Sequence, residues 1–189
     1  MSGSRPAFEA LVQRYAGRVV SVLEHRTGDH ETACDLCQEV WIRVHRSFDR
    51  GDFDPRTGGS FRSWLFSIAL NLARDEARSK ARRARHQDDT IDPGDRDESD
   101  PRSSGALERI EQSDAIEQAL ARVEEPFRTA IVLVDVEGLD YQEAAESAGC
   151  ALGTMKSRVA RGRAAFREHW QILVGSDPTD GRPEEGTNR

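Results

Sequence analysis

With 37% hydrophobic and 32% charged residues, a chain of 189 residues has little apolar material to spend on a core, and fits one ordinary domain or two small helical ones. No apolar run approaches the about 18 residues of a membrane span, and Met1-Ser2-Gly3-Ser4-Arg5-Pro6 lacks the apolar stretch of a signal peptide, which argues against membrane insertion and for a cytoplasmic location. Three cysteines, an odd number without secretory context, point to reduced thiols.

The formal net charge of -7 conceals a segregation along the chain. Residues 74–85 carry six cations against two carboxylates, whereas residues 86–105 carry seven carboxylates against two arginines, with Pro, Gly and Ser interspersed and no aromatic. The second segment cannot bury enough apolar surface to offset its ordering entropy. The expected organisation is therefore all-α: two small helical domains, residues 5–85 and 113–172, joined by a flexible acidic linker, 86–112, and followed by a disordered tail, 173–189.

In the first domain, Phe8, Leu11, Val12, Tyr15, Val19, Val22 and Leu23 recur at helical spacing until Thr27-Gly28-Asp29 stops the helix. Asp29 is a suitable N-cap for a second helix with Ala33, Leu36, Cys37, Val40, Trp41, Val44 and Phe48 on one stripe. That leaves Asp35, Gln38, Glu39, Arg43 and Arg46 for solvent or a partner. Asp49 to Gly59, rich in Asp and Gly, reads as a loop.

Ser60 caps a third helix with two faces: Phe61, Leu65, Ile68 and Leu72 suit a core, while Trp64, Ser67, Asn71, Arg74, Arg78, Arg82 and Arg85 form a stripe that begins aromatic and ends basic. Cations neutralise phosphate, an indole stacks on an unpaired base and an amide reads a base edge, so this stripe suits nucleic acid; a solvated basic face with Trp64 in the core is the plainer alternative.

In the second domain Ser113 opens a helix with Ile116, Leu120 and Val123 inward. Pro126 suits the first turn of the next, where Phe127, Ala130, Ile131 and Val134 face inward until Gly138. Asp140-Tyr-Gln-Glu143 is a capping-box variant, Gly149 a turn, and a last helix from Gly153 or Thr154 to about Trp170 places Met155, Val159, Gly162, Phe166 and Trp170 inward. Ala145, Gly149 and Met155 are spaced as in a helix-turn-helix. Lys156, Ser157, Ala160 and Arg161 then fall on the outer side of the second helix, where a major groove would be met.

Asp35-Leu-Cys-Gln-Glu-Val-Trp-Ile-Arg-Val44, Phe61-Arg-Ser-Trp-Leu-Phe-Ser-Ile-Ala-Leu-Asn71 and Gly153-Thr-Met-Lys-Ser-Arg158 together resemble the polymerase-binding, promoter-melting and recognition-helix signatures of the sigma-70 family of bacterial RNA polymerase sigma factors, in particular the extracytoplasmic-function group. The resemblance implies partners: RNA polymerase core, through the beta-prime clamp helices and the beta flap, and promoter DNA, with an anti-sigma factor left open. It implies that Asp35, Gln38, Glu39 and Arg43 face the polymerase. Phe61, Arg62, Trp64, Asn71, Arg74 and Arg78 would meet the minus-10 element, and Tyr141, Gln142, Thr154, Lys156, Ser157, Arg158 and Arg161 the minus-35 element. The acidic linker would thread towards the RNA exit path. Cys37 stands where the family usually has an aliphatic residue, and residues 52–59, in the base-capturing loop, give no promoter sequence.

Two other readings compete. A helix-turn-helix regulator acting without polymerase would use the second domain and leave the signatures of the first unused. His30, Cys34 and Cys37 share one helical face and could form a zinc or redox switch, but Cys37 belongs to the apolar stripe and no fourth ligand is nearby in sequence. No nucleophile or phosphate-loop motif is present, so no catalytic residue, cofactor or metal is expected.

Overall fold

Residues 5–53, 59–86 and 107–174 are described by the structure, a computed structural model. Residues 54–58 of the expected loop and most of the predicted linker and tail lie outside them.

Helix α1, Arg5–Thr27, gives way to α2, His30–Arg50, where the Asp29 carboxylate accepts the Thr32 N–H at 2.8 Å and supplies the expected N-cap. The capping bond to Thr32 holds the Asp29 carboxyl below its ordinary value. At the other end Gly51, with φ of 73°, takes the left-handed C-cap conformation that side-chain-bearing residues resist. The Ser60 hydroxyl accepts the Ser63 N–H at 3.1 Å and starts α3, Phe61–His86. These three helices bury the predicted stripes of α1 and α2, among them Val19, Leu23, Ala33, Val40 and Val44.

The second domain is built from α4, Leu107–Arg122, α5, Phe127–Ile131, a π-helical turn at Val132–Val136, α6, Tyr141–Ala148, and α7, Leu152–Val174. Helix α4 starts six residues before the expected Ser113, so the predicted linker contributes its last residues to a helix, consistent with the good helix formers of Leu107-Glu-Arg-Ile-Glu-Gln112. The π-helical turn replaces the continuous helix expected up to Gly138. At α6 the capping box forms as expected: Asp140 accepts the Glu143 N–H at 2.8 Å and Glu143 accepts the Asp140 N–H at 3.0 Å. Gly149, φ 64°, makes the turn to α7.

Two inward assignments change. Ile116 is 42% exposed rather than buried. It lines an open apolar groove of about 350 Å³ with Leu120, Ile131, Val136, Phe166 and Trp170. On α3, Phe66, Ala69, Leu70 and Ala73 are buried in addition to Leu65 and Leu72. A helix apolar on two sides must be covered on two sides. The first side packs on α1 and α2, and the second meets α6 of the other domain, so that the buried residues form one continuous cluster through both halves.

Candidate polymerase and nucleic-acid interfaces

Helix α2 presents its polar stripe as the period requires. Asp35, Gln38 and Arg43 are exposed and Glu39 is half-buried, with the Arg43 guanidinium 3.0 Å from the Glu39 carboxylate. Ile42, 44% exposed, lies within this stripe at i+7 from Asp35 and was missed by the sequence reading. Its signal was an isoleucine standing among polar neighbours, off the core stripe. An exposed apolar residue ringed by Glu39, Arg43 and Arg46 gives the face what a protein partner's hot spot needs, a hydrophobic centre with a charged rim.

On α3 the predicted stripe is split in its surroundings. Asn71 and Arg78 are exposed, and the Arg74 guanidinium donates to the Asn71 side-chain oxygen at 2.6 Å. Trp64 is half-buried, its ring 4.7 Å from that of Phe53 and 5.9 Å from that of Phe48. Phe61 joins the same aromatic cluster. The plainer alternative for Trp64 is thus partly realised: the indole packs at the edge of the core and keeps part of its surface open. Arg62 does not point along the stripe. Its guanidinium donates to the Gly138 carbonyl at 2.9 Å and lies 3.3 Å from the Glu143 carboxylate, in the other domain.

The helix-turn-helix pair α6 and α7 keeps Ala145, Met155 and Val159 buried, which sets the outward face of α7. Thr154, Lys156, Ser157 and Arg161 are exposed, and Gln142 is exposed beside them on α6. Ser157 donates to the Thr154 carbonyl at 2.8 Å, and the Arg161 guanidinium lies over the Phe127 ring at 5.8 Å. Tyr141 and Arg158 are half-buried. Arg158 lines the crevice between the domains with Arg26, Arg74 and Glu125. Four of the seven residues proposed for this face therefore share the outward side of α7, with no acidic residue among residues 152–163 to oppose a phosphate.

The third candidate constellation does not converge. His30 Nε2 and Cys34 Sγ are 3.5 Å apart, but Cys37 turns into the core, where its thiol approaches the Ala16 carbonyl at 3.8 Å and burial pushes its pKa up. Cys150 packs partly buried beside the helix-turn-helix turn. Among the described residues no helix is long and apolar enough to cross a membrane.

Residues 11–83 match the model of sigma-70 region 2 and residues 113–166 that of sigma-70 region 4. An ECF RNA polymerase sigma factor of Mycolicibacterium smegmatis, SigE, is 35% identical over 87% of this chain, which spans 62% of that protein's length. The RNA polymerase sigma-H factor of Pseudomonas aeruginosa is 30% identical over 91% of this chain and 90% of its own. Among solved structures, the sigma factor RpoE of Bartonella quintana, crystallised with the anti-sigma factor NepR, superposes with a TM-score of 0.69 at 25% identity, covering 90% of this chain and 98% of that one. The two region models lie on the two helical domains in the order that the three signatures predict, and the chain belongs to the extracytoplasmic-function group of the sigma-70 family.

Proposed function

We propose that this chain binds RNA polymerase core and directs promoter-specific transcription initiation, using region 2 to contact core and open the minus-10 element and region 4 to read the minus-35 element. The observation that carries the reading is the coexistence, in one small domain, of the α2 stripe Asp35, Gln38, Glu39, Ile42 and Arg43 with the separate α3 stripe Trp64, Asn71, Arg74 and Arg78. A regulator acting through the helix-turn-helix alone has no use for either. On this reading the α2 stripe meets the beta-prime clamp helices. Trp64 and Asn71 hold an unpaired base by stacking and edge contacts, and Arg78 holds phosphate. Thr154, Lys156, Ser157 and Arg161 enter a major groove, with Gln142 and Tyr141 at its border.

The apolar groove between α4 and α7 suits the beta flap, since Ile116, Val136 and Trp170 line it and Ile116 and Val136 expose apolar surface. The Bartonella relative was solved bound to an anti-sigma factor, and a protein of that class belongs among the partners expected here. On this reading the chain supplies promoter choice while the polymerase supplies the chemistry.

The test is reconstitution. The chain mixed with polymerase core should yield transcripts from a subset of a promoter library. The charge swap Glu39→Arg with Arg43→Glu keeps the intrahelical pair but inverts its direction. It should weaken core binding by about tenfold or more while leaving the helical content and melting temperature unchanged. Core binding unaffected by the swap would remove α2 from the interface.

A further inference from the structure

Between the two halves lies a small crevice, about 60 Å³, in which the proposed function gives Arg26 and Arg158 no role. It forms where α3 meets α6: the Ser147 hydroxyl lies 2.9 Å from the Ser63 carbonyl, and the Arg74 guanidinium reaches the Ala148 carbonyl at 3.5 Å. Leu70, Ala130 and Met155, each at most 3% exposed, give the crevice an apolar wall.

Three arginines line it from three helices, Arg26 of α1, Arg74 of α3 and Arg158 of α7, and each is half-buried. One carboxylate, that of Glu125, stands with them. It is already shared: it lies 3.5 Å from Arg26 and 3.4 Å from Arg128, and it accepts the Thr129 hydroxyl at 2.8 Å. Among the described residues no carboxylate pairs with Arg74 or Arg158, and the acceptors of Arg74 are the neutral oxygens of Asn71 and Ala148. Two guanidinium charges drawn partly out of water beside an apolar wall, with no counter-charge, oppose folding. The same arrangement concentrates positive potential inside a cleft, which attracts an anion.

We propose that this crevice is a binding site for a phosphate dianion, free or at the end of a small phosphomonoester, held by Arg26, Arg74 and Arg158. Charge, shape and size each favour that ligand. Three guanidinium groups against one carboxylate leave two positive charges, and a phosphate monoester carries about -1.5 to -2 near neutral pH. Donor forks arriving from three helices suit oxygens set at the corners of a tetrahedron, whereas a planar carboxylate is matched by a single fork. About 60 Å³ admits a group of a few atoms and excludes a nucleoside. A phosphodiester of the DNA backbone has one charge and a sugar on either side, so it fits neither the charge nor the space. The proposal is independent of the proposed function, because it rests on the crevice alone and not on what α2 or the outer face of α7 meets.

Thermal melting and calorimetric titration of the full chain with inorganic phosphate, in chloride buffer at constant ionic strength, test the site. Phosphate should raise the melting temperature of the parent saturably, and added chloride should not. Arg158→Gln removes a charge that has no carboxylate partner, so without phosphate it should melt no lower than the parent. Its affinity for phosphate should fall by about tenfold or more, as one charge-assisted contact is lost. Arg74→Gln should lose affinity likewise and serves as the second variant should Arg158→Gln lose its helical signal. Arg14→Gln, on the exposed side of α1, removes the same charge away from the crevice and should bind as the parent does. Methyl phosphate separates the two sources: binding equal to that of inorganic phosphate supports a phosphomonoester, and its exclusion supports the free ion. A parent that gains no more from phosphate than from chloride, or a folded Arg158→Gln with parental affinity, would overturn the proposal. Either failure would leave the proposed function standing, since neither measurement involves polymerase or promoter.

Discussion

A Cβ placed on Gly162 would stand 2.8 Å from the carbonyl oxygen of Phe127 and 2.7 Å from Cγ2 of Ile131. Helix α7 therefore crosses α5 with no room for a side chain, and the orientation of the recognition helix is set by that approach. Gly162→Ala gains helix propensity but overpacks the crossing against backbone, and should cost about 1 to 3 kcal/mol. A lowered melting temperature together with weaker minus-35 binding is expected; a variant as stable as the parent would mean that α5 yields freely.

Glu137 governs a pH dependence. Burial raises its pKa, and the nearby Arg18 and Arg62 only partly oppose this. An acid whose folded pKa lies above its unfolded value binds more protons when folded, so its contribution is full below the ordinary carboxylate value and declines as pH rises through the raised one. Glu137→Gln removes the buried charge. Across urea titrations from about pH 4 to pH 7, the variant should gain stability relative to the parent as pH rises. A difference that stays constant over that range would count against the assignment.

On α3, stability and melting of DNA should separate. Asn71 is exposed and, among the described residues, its side chain bonds to Arg74 alone, so Asn71→Ala should leave the folding stability within about 0.5 kcal/mol of the parent. It should still recruit polymerase to duplex promoter, yet give a weaker permanganate-reactive bubble. Trp64→Ala loses both the base contact and its packing on Phe48 and Phe53, so it should also destabilise the fold. A promoter already mismatched over the minus-10 region should restore part of the activity of either variant. Melting by Asn71→Ala at the parental level would displace the site from α3.

Arg161→Ala carries two losses of different size. The guanidinium stacks over Phe127 at 5.8 Å, worth about 0.5 to 1 kcal/mol at an exposed position. A contact to a base edge would cost about 1 to 3 kcal/mol of binding, whereas a phosphate contact would lower the salt slope by about one unit. Fluorescence anisotropy on a minus-35 duplex at several salt concentrations distinguishes the two. Equal affinity and slope in parent and variant would take Arg161 off the DNA.

Sequence by itself determined the helices, their caps and the outward stripes, because these depend on short spacings: Asp29 on Thr32, Asp140 on Glu143, Met155 with Val159 to turn Lys156 and Ser157 outward. Its three signatures also carried the family. Ile42 was hidden because a single apolar residue on a polar stripe has no period. The exposure of Ile116 depends on a groove formed with α7 and the π-helical turn, 20 to 54 residues further on. Only tertiary structure decided the fate of Arg62, Phe66, Leu70 and Ser147. A helical period states that a face is apolar but not what will cover it, and the partner of Ser63 stands 84 residues away. The acidic segment between the two halves suggested independent domains, yet apolar burial is indifferent to chain order: α3, with two apolar faces, could satisfy the second only on α6.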